Sequence, residues 1–105
     1  MTSESKKLLY NMYSEYKLRR KNNMSRKDSV FFGSYEDVAQ LSFDYSPADV
    51  DDFLRELNQL GFVRAKYADN HVYLCALTYE AIEHMEQLPA DYFRSVVDFV
   101  TKFIP

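Results

Sequence analysis

The side chains of this 105-residue chain best suited to covalent or metal chemistry are few: Cys75, His71 and His84. Cys75 falls within a strand-like alternation, where a buried structural thiol is expected rather than a nucleophile. His71 lies beside a polar turn. Glu80 and His84 stand four residues apart, so they share one helix face and could share a metal ion. No other ligand cluster stands near them, and a surface ion pair is the better reading. Asp51 and Asp52 are sequence neighbours that point apart on a helix, so they are no acid–base pair. There is no glycine-rich phosphate loop and no nucleophile elbow. These residues predict a protein that is not an enzyme, with no cofactor, no metal site and no small-molecule substrate.

A second chemistry is better represented. Residues 17–27 read Lys-Leu-Arg-Arg-Lys-Asn-Asn-Met-Ser-Arg-Lys, six cations in eleven residues. That density could displace counterions from a phosphate backbone, although a solvated charge run has the same composition. The net charge of −3 conceals a split. Residues 1–27 hold eight basic and two acidic side chains, +6, whereas the remaining 78 hold five and fourteen, −9. Such asymmetry bears on partners, because fields rather than totals steer association.

The elements that must position these groups can be read from spacing and caps. A first helix is expected from about Ser5 to Arg20, with Leu8, Leu9, Met12, Tyr13 and Tyr16 on one arc. Its tyrosines read as core with hydroxyls at the rim, not as a base-stacking platform. The basic segment begins as the last turn of that helix, where cations suit the dipole, and continues as a loop through Asn22 and Asn23. Val30–Gly33 reads as a short buried strand. Ser34 caps a short helix to Leu41, with Asp37 three residues on, and Phe43 and Tyr45 fill the turn that follows. Ser46 and Pro47 open a further helix to Leu60, whose Val50, Phe53, Leu54, Leu57 and Leu60 form one apolar stripe. Gly61 offers its left-handed stop, with Phe62 folding back on the last turn. The runs 62–67 and 71–77, parted by Ala68-Asp69-Asn70, read as a hairpin. Thr78 caps another helix with Ile82, Met85 and Leu88 inward, ended by Pro89.

Residues 91–104 show the sharpest segregation. Tyr92, Phe93, Val96, Val97, Phe99, Val100, Phe103 and Ile104 span roughly 160° of a helical wheel, more than the ~100° stripe of an ordinary surface helix. The surplus predicts a homodimer interface, ahead of intramolecular packing or membrane-surface contact; the charge-balanced polar side argues against the last. The chain thus divides into a domain over residues 1–89 and a C-terminal helix over 90–105. Neither a secretory signal nor a membrane span is visible, and one cysteine fits a reducing cytoplasm.

The order helix, short strand, capped helix, capped helix with Gly61, hairpin, then Leu77-Thr78 and a helix resembles the winged helix-turn-helix superfamily over residues 5–88. Leu57, Leu60, Gly61, Phe62 and Val63 carry the likeness most directly. More narrowly, the chain is similar to small winged-helix proteins of phages and mobile elements of Gram-positive bacteria, including the YjcQ type. The expected fold is α+β, a three-helix core with a β-hairpin wing and an added C-terminal amphipathic helix. The resemblance implies DNA binding, with the 46–60 helix in the major groove and the wing beside it.

The chain departs from that pattern on the helix itself. Opposite its stripe stand Asp52, Arg55, Glu56 and Gln59, flanked by Asp49, Asp51 and Asn58. Recognition helices insert their N-terminal part into the groove, and each aspartate near a phosphate costs about 1 kcal/mol even in water. Two readings follow. In the first, the chain is a dimeric double-stranded-DNA-binding regulator, with phosphate contacts from Arg19, Arg20, Lys21, Arg26, Lys27, Arg64 and Lys66 and base contacts from Arg55 and Gln59. In the second, it is a protein-interaction module or inhibitor whose acidic helix docks a basic protein.

Overall fold

Five local capping signals set the helices of this α+β chain, whose computed structural model describes residues 1–41 and 44–88. Helix α1, Ser3–Lys21, opens on Thr2, whose hydroxyl accepts from Ser5 N at 3.3 Å, and closes on Arg19, Arg20 and Lys21 beside its carbonyl end. The turn through Asn22 and Asn23 leads not to a loop but to a one-turn helix α2, Arg26–Ser29, whose Ser25 hydroxyl accepts from Asp28 N at 3.1 Å. Strand β1 is Phe31–Gly33. Helix α3, Tyr35–Leu41, carries a reciprocal cap: Asp37 N donates to Ser34 Oγ at 3.2 Å and Ser34 N to Asp37 Oδ2 at 3.0 Å. Gly33 has φ +79°, and any Cβ there would collide with the Asp37 carboxylate that makes this cap.

Helix α4, Pro47–Gln59, begins at Ser46, whose Oγ accepts from Asp49 N at 3.2 Å. It ends where Gly61 turns left-handed at φ +84° and Phe62 N bonds back to Leu57 O at 3.0 Å, the six-residue closure expected of a glycine stop. Strands β2, Val63–Ala68, and β3, His71–Leu77, follow. Their tip is two residues, not three: Asp69 and Asn70 have φ +52° and +66°, the left-handed pair that matches the twist of a tight hairpin. Helix α5, Tyr79–Glu86, is capped by Thr78, whose Oγ1 accepts from Ala81 N at 3.1 Å and donates to Gly61 O at 2.7 Å. One hydroxyl therefore joins the end of α4 to the start of α5.

The described residues form five helices and a three-stranded antiparallel sheet in the order β1-β3-β2, an arrangement compatible with a winged helix. The apolar stripe of α4 (Val50, Phe53, Leu54, Leu57) meets Leu8, Leu9 and Met12 of α1, Val38 of α3 and the inner face of the sheet, Phe32, Val63, Val72, Cys75 and Leu77. Ile82 and Met85 close the core from α5. Tyr13 and Tyr16 are buried and stacked at 5.9 Å, as core tyrosines should be. The strand expected over Val30–Gly33 is buried only in part, because alternation turns Phe31 outward while Phe32 faces the core. Pairing runs Phe31 with Ala76, Ala76 with Arg64, and Leu74 with Lys66. Between Lys66 and Tyr67 the register slips by one residue on β3.

Both outer edges of the sheet are engaged by side chains. Arg19 donates to Phe31 O at 2.6 Å and to Ser29 O at 3.3 Å, and Asn58 Oδ1 accepts from Ala65 N at 3.1 Å. No helix among the described residues is long and apolar enough to cross a membrane. Phe43, Pro89 and the segment expected to dimerise, with Tyr92, Phe93, Val96, Val97, Phe99, Val100, Phe103 and Ile104, lie outside the described residues.

Candidate nucleic-acid interface

The α4 face proposed to read bases is held against the hairpin instead of lying free. Asp51, Arg55 and Asn58 recur at four and three residues, so they form one stripe beside the apolar one, and all three bond to the β2–β3 hairpin. Asp51 Oδ1 accepts from Val72 N at 2.8 Å, and its Oδ2 lies 3.3 Å from both His71 Nδ1 and Arg55 Nε. Burial raises the Asp51 pKa, but the Val72 amide, His71 and Arg55 outweigh it and hold the carboxyl below its usual range. Arg55 also donates to Asn70 O and lies 4.9 Å over the Tyr67 ring. Asn58 Nδ2 donates to Tyr67 Oη at 3.0 Å. His71 completes the seam by stacking on Tyr35 of α3 at 4.8 Å.

This seam changes two expectations. Asp51 is buried and joins α4 to the hairpin, and is not part of an exposed acidic rim. Arg55, the one cation of α4, is already bonded to a backbone carbonyl and a carboxylate. The polar side chains that α4 leaves exposed are Asp49, Asp52 and Gln59. Glu56 is tied to Thr2, whose N and Oγ1 lie 2.8 and 3.0 Å from its carboxylate oxygens; these bonds, the backbone one foremost, hold its carboxyl below the usual range. Residues 35–60 carry seven acidic side chains and one basic.

The remaining cations lie elsewhere. Arg19 bonds to Glu15 at 3.1 Å and to two carbonyls, and its guanidinium covers the Phe32 ring at 4.5 Å, so it fastens β1 to α1. Arg20, Lys21, Arg26 and Lys27 are exposed at the C-terminal end of α1 and on α2. Arg20 reaches Met24 O at 3.0 Å, and Arg26 lies 4.4 Å over the Tyr79 ring at the start of α5. Arg64 and Lys66 are exposed on β2, alternating with Val63 and Ala65, so they project from the sheet face opposite α4.

Geometry separates the two sets. The N-terminal end of α1 lies at α4 and the turn before it, through Thr2 to Glu56 and Lys7 to Asp44 at 3.2 Å. Nineteen residues place the other end of α1, with Arg20 and Lys21, about 28 Å away. The structure thus brings Arg26 and Tyr79 to the end of the sheet where Phe31, Ala76 and Arg64 lie abreast, whereas Arg55 is bonded at the hairpin tip. Strands 31–33, 63–68 and 71–77 contain neither Asp nor Glu. Three exposed aromatics in this neighbourhood, Phe31, Tyr73 and Tyr79, were not singled out by sequence spacing. Phe31 was hidden in an apolar run, and Tyr73 owes its position to the slip in register.

The other reactive groups have structural surroundings. Cys75 is buried, and desolvation first, the Asp37 charge second, pushes its thiol up to about 12, so it carries no nucleophilic thiolate near neutral pH. His84 rests on Phe62 at 5.0 Å. Among the described residues no three His, Cys, Asp or Glu side chains are grouped to hold a metal. Comparison with family models, curated proteins and solved structures returns no match to this chain.

Proposed function

We propose that this chain is a non-enzymatic nucleic-acid-binding protein of winged-helix type, of the kind that serves as a regulator, and that it binds with the surface opposite α4. The observation that carries the reading is the distribution of available cations. Arg20, Lys21, Arg26, Lys27, Arg64 and Lys66 are exposed at the α2 end of the molecule and on the outer sheet face, where the strands carry no acid. Insertion of α4 into a groove has the opposite support: Asp49 and Asp52 would approach phosphates, and Arg55 would have to abandon Asn70 and Asp51. Binding led by phosphate contacts falls steeply with salt, with a logarithmic slope of about −0.9 per contact on duplex DNA.

Titration of labelled oligonucleotides at several salt concentrations tests this. Lys21→Glu with Lys27→Glu is expected to weaken binding at least tenfold and flatten the salt slope, while Asp49→Asn with Asp52→Asn leaves affinity the same or raises it. A flat slope in the unaltered protein overturns the reading.

A second reading is favoured by the acidic character of residues 35–60. In it the α3–α4 pair docks a basic protein, and the exposed Asp49 and Asp52 make the contact. Capture of a basic partner that Asp49→Lys with Asp52→Lys abolishes, in nuclease-treated extract, would establish it; unchanged capture would remove it.

A further inference from the structure

Among the described residues, the three-stranded sheet has one face in the core and one face open. The open face is unusual in what it presents. Phe31, Ala76 and Arg64 stand abreast on the three strands, with Leu74 and Lys66 in the next row. Lys66 pairs with Leu74 and Tyr67 with Val72, so Tyr73 is an extra residue on β3. Val72 and Cys75 on either side are buried, which leaves Tyr73 and Leu74 both projecting outward, as the two residues of a bulge do. Phe31 is 49% exposed, Tyr73 45% and Tyr79, beneath the Arg26 guanidinium, 56%. In sequence, the acids that flank these strands are Asp28 on α2, Asp69 at the hairpin tip and Glu80 after Tyr79.

Aromatic rings that share an exposed face are available to stack on a ligand. Rings interleaved with cations fit one ligand class closely. Bases have π faces that stack on such rings whatever their identity, while the phosphates between them meet Arg and Lys. A duplex keeps its base faces stacked internally, leaving Phe31 and Tyr73 no π face to meet. A sheet face is also the platform on which unpaired bases can be splayed.

We propose that the outer sheet face is a site for single-stranded nucleic acid. Phe31 and Tyr73 stack with bases, Arg64 and Lys66 neutralise the intervening phosphates, and Arg26 over Tyr79 extends the track toward α2. Neighbouring strands lie about 5 Å apart and Tyr73 about 10 Å along β3 from Ala76, so the site spans a few nucleotides. This inference rests on the nucleic-acid reading above and adds the form of the ligand.

The test is fluorescence anisotropy of the full chain with labelled oligo(dT), oligo(U) and a mixed-sequence duplex of equal phosphate count, at matched salt. The expected result is tighter binding of at least one single strand than of duplex, the two single-strand arms showing whether the sugar is read. Phe31→Ala and Tyr73→Ala should each weaken single-strand binding about five- to a hundredfold and leave duplex binding unchanged. Tyr73→Phe, which keeps the ring and the fold, should bind like the unaltered protein; a loss equal to that of Tyr73→Ala overturns stacking. Duplex bound as tightly as single strands, or single-strand affinity unmoved by either alanine, overturns this inference while the broader reading stands. Equal competition by poly-glutamate reduces the face to a general polyanion surface and also overturns it. No binding to any of the three at low salt overturns both.

Discussion

The polar stripe of α4 and the outer face of the sheet hold similar side chains put to different uses. Both mix arginine, aromatic rings and hydrogen-bonding groups. On α4, Arg55 stacks on Tyr67 and bonds to Asp51 and Asn70, all within the molecule. On the sheet, Arg64, Lys66, Phe31 and Tyr73 are all exposed on the outer face. The difference teaches that a charged residue becomes a candidate for recognition only after the fold has made its own claims on it. Asp51, buried, must be paired. Arg55 and the hairpin amides answer that need, so α4 has no cation left for a partner.

The comparison can be broken first at Asp51. Asp51→Ala leaves Val72 N without its buried acceptor and Arg55 without its carboxylate, and should cost about 3 kcal/mol in urea unfolding. The pH dependence has a definite sign. Because the folded carboxyl lies below its usual range, its contribution is fully present above the unfolded pKa near 4 and is lost as pH falls through the folded value. Asp51→Asn should therefore be least stable relative to the unaltered chain near neutral pH, with the gap narrowing in acid.

A smaller effect is expected at Arg19, which bonds two carbonyls and covers Phe32. Arg19→Ala should lower stability by about 2 kcal/mol without changing the number of phosphates contacted, as read from the salt slope. A flattened slope at unchanged stability would return Arg19 to the binding surface. The smallest stability change belongs to the sheet face: Arg64→Gln with Lys66→Gln should stay within about 0.5 kcal/mol. It should nonetheless reduce the salt slope of binding by about two contacts. A large loss of stability there would mean that these heads, like Arg55, serve the fold.

Most of the architecture was legible because it is written locally. Ser34, Ser46 and Thr78 each precede a helix and each caps it, and Gly61 ends α4 in the conformation its type favours. Helix α2 escaped the periodicity argument since one turn has no period, although Ser25 and Asp28 repeat the Ser-x-x-Asp spacing that marked α3 and α4. Asp51 was misplaced for a different reason. Its position between Val50 and Asp52 says that it flanks the apolar stripe, but only tertiary packing decides whether a flank meets water or a hairpin. The exposed cations of the α2 end kept their expected solvent contact, whereas Arg19 and Arg55, indistinguishable from them by type, are half-buried and bonded within the fold.

The bonds that Arg19 and Asn58 make to the two outermost strands have a consequence for the protein at high concentration. Each fills a backbone position that a neighbouring molecule would otherwise use to add a strand of its own. Were both trimmed to alanine, the three strands would present an open template on either side, and slow growth of thioflavin-positive fibres from otherwise folded protein would be the expected failure.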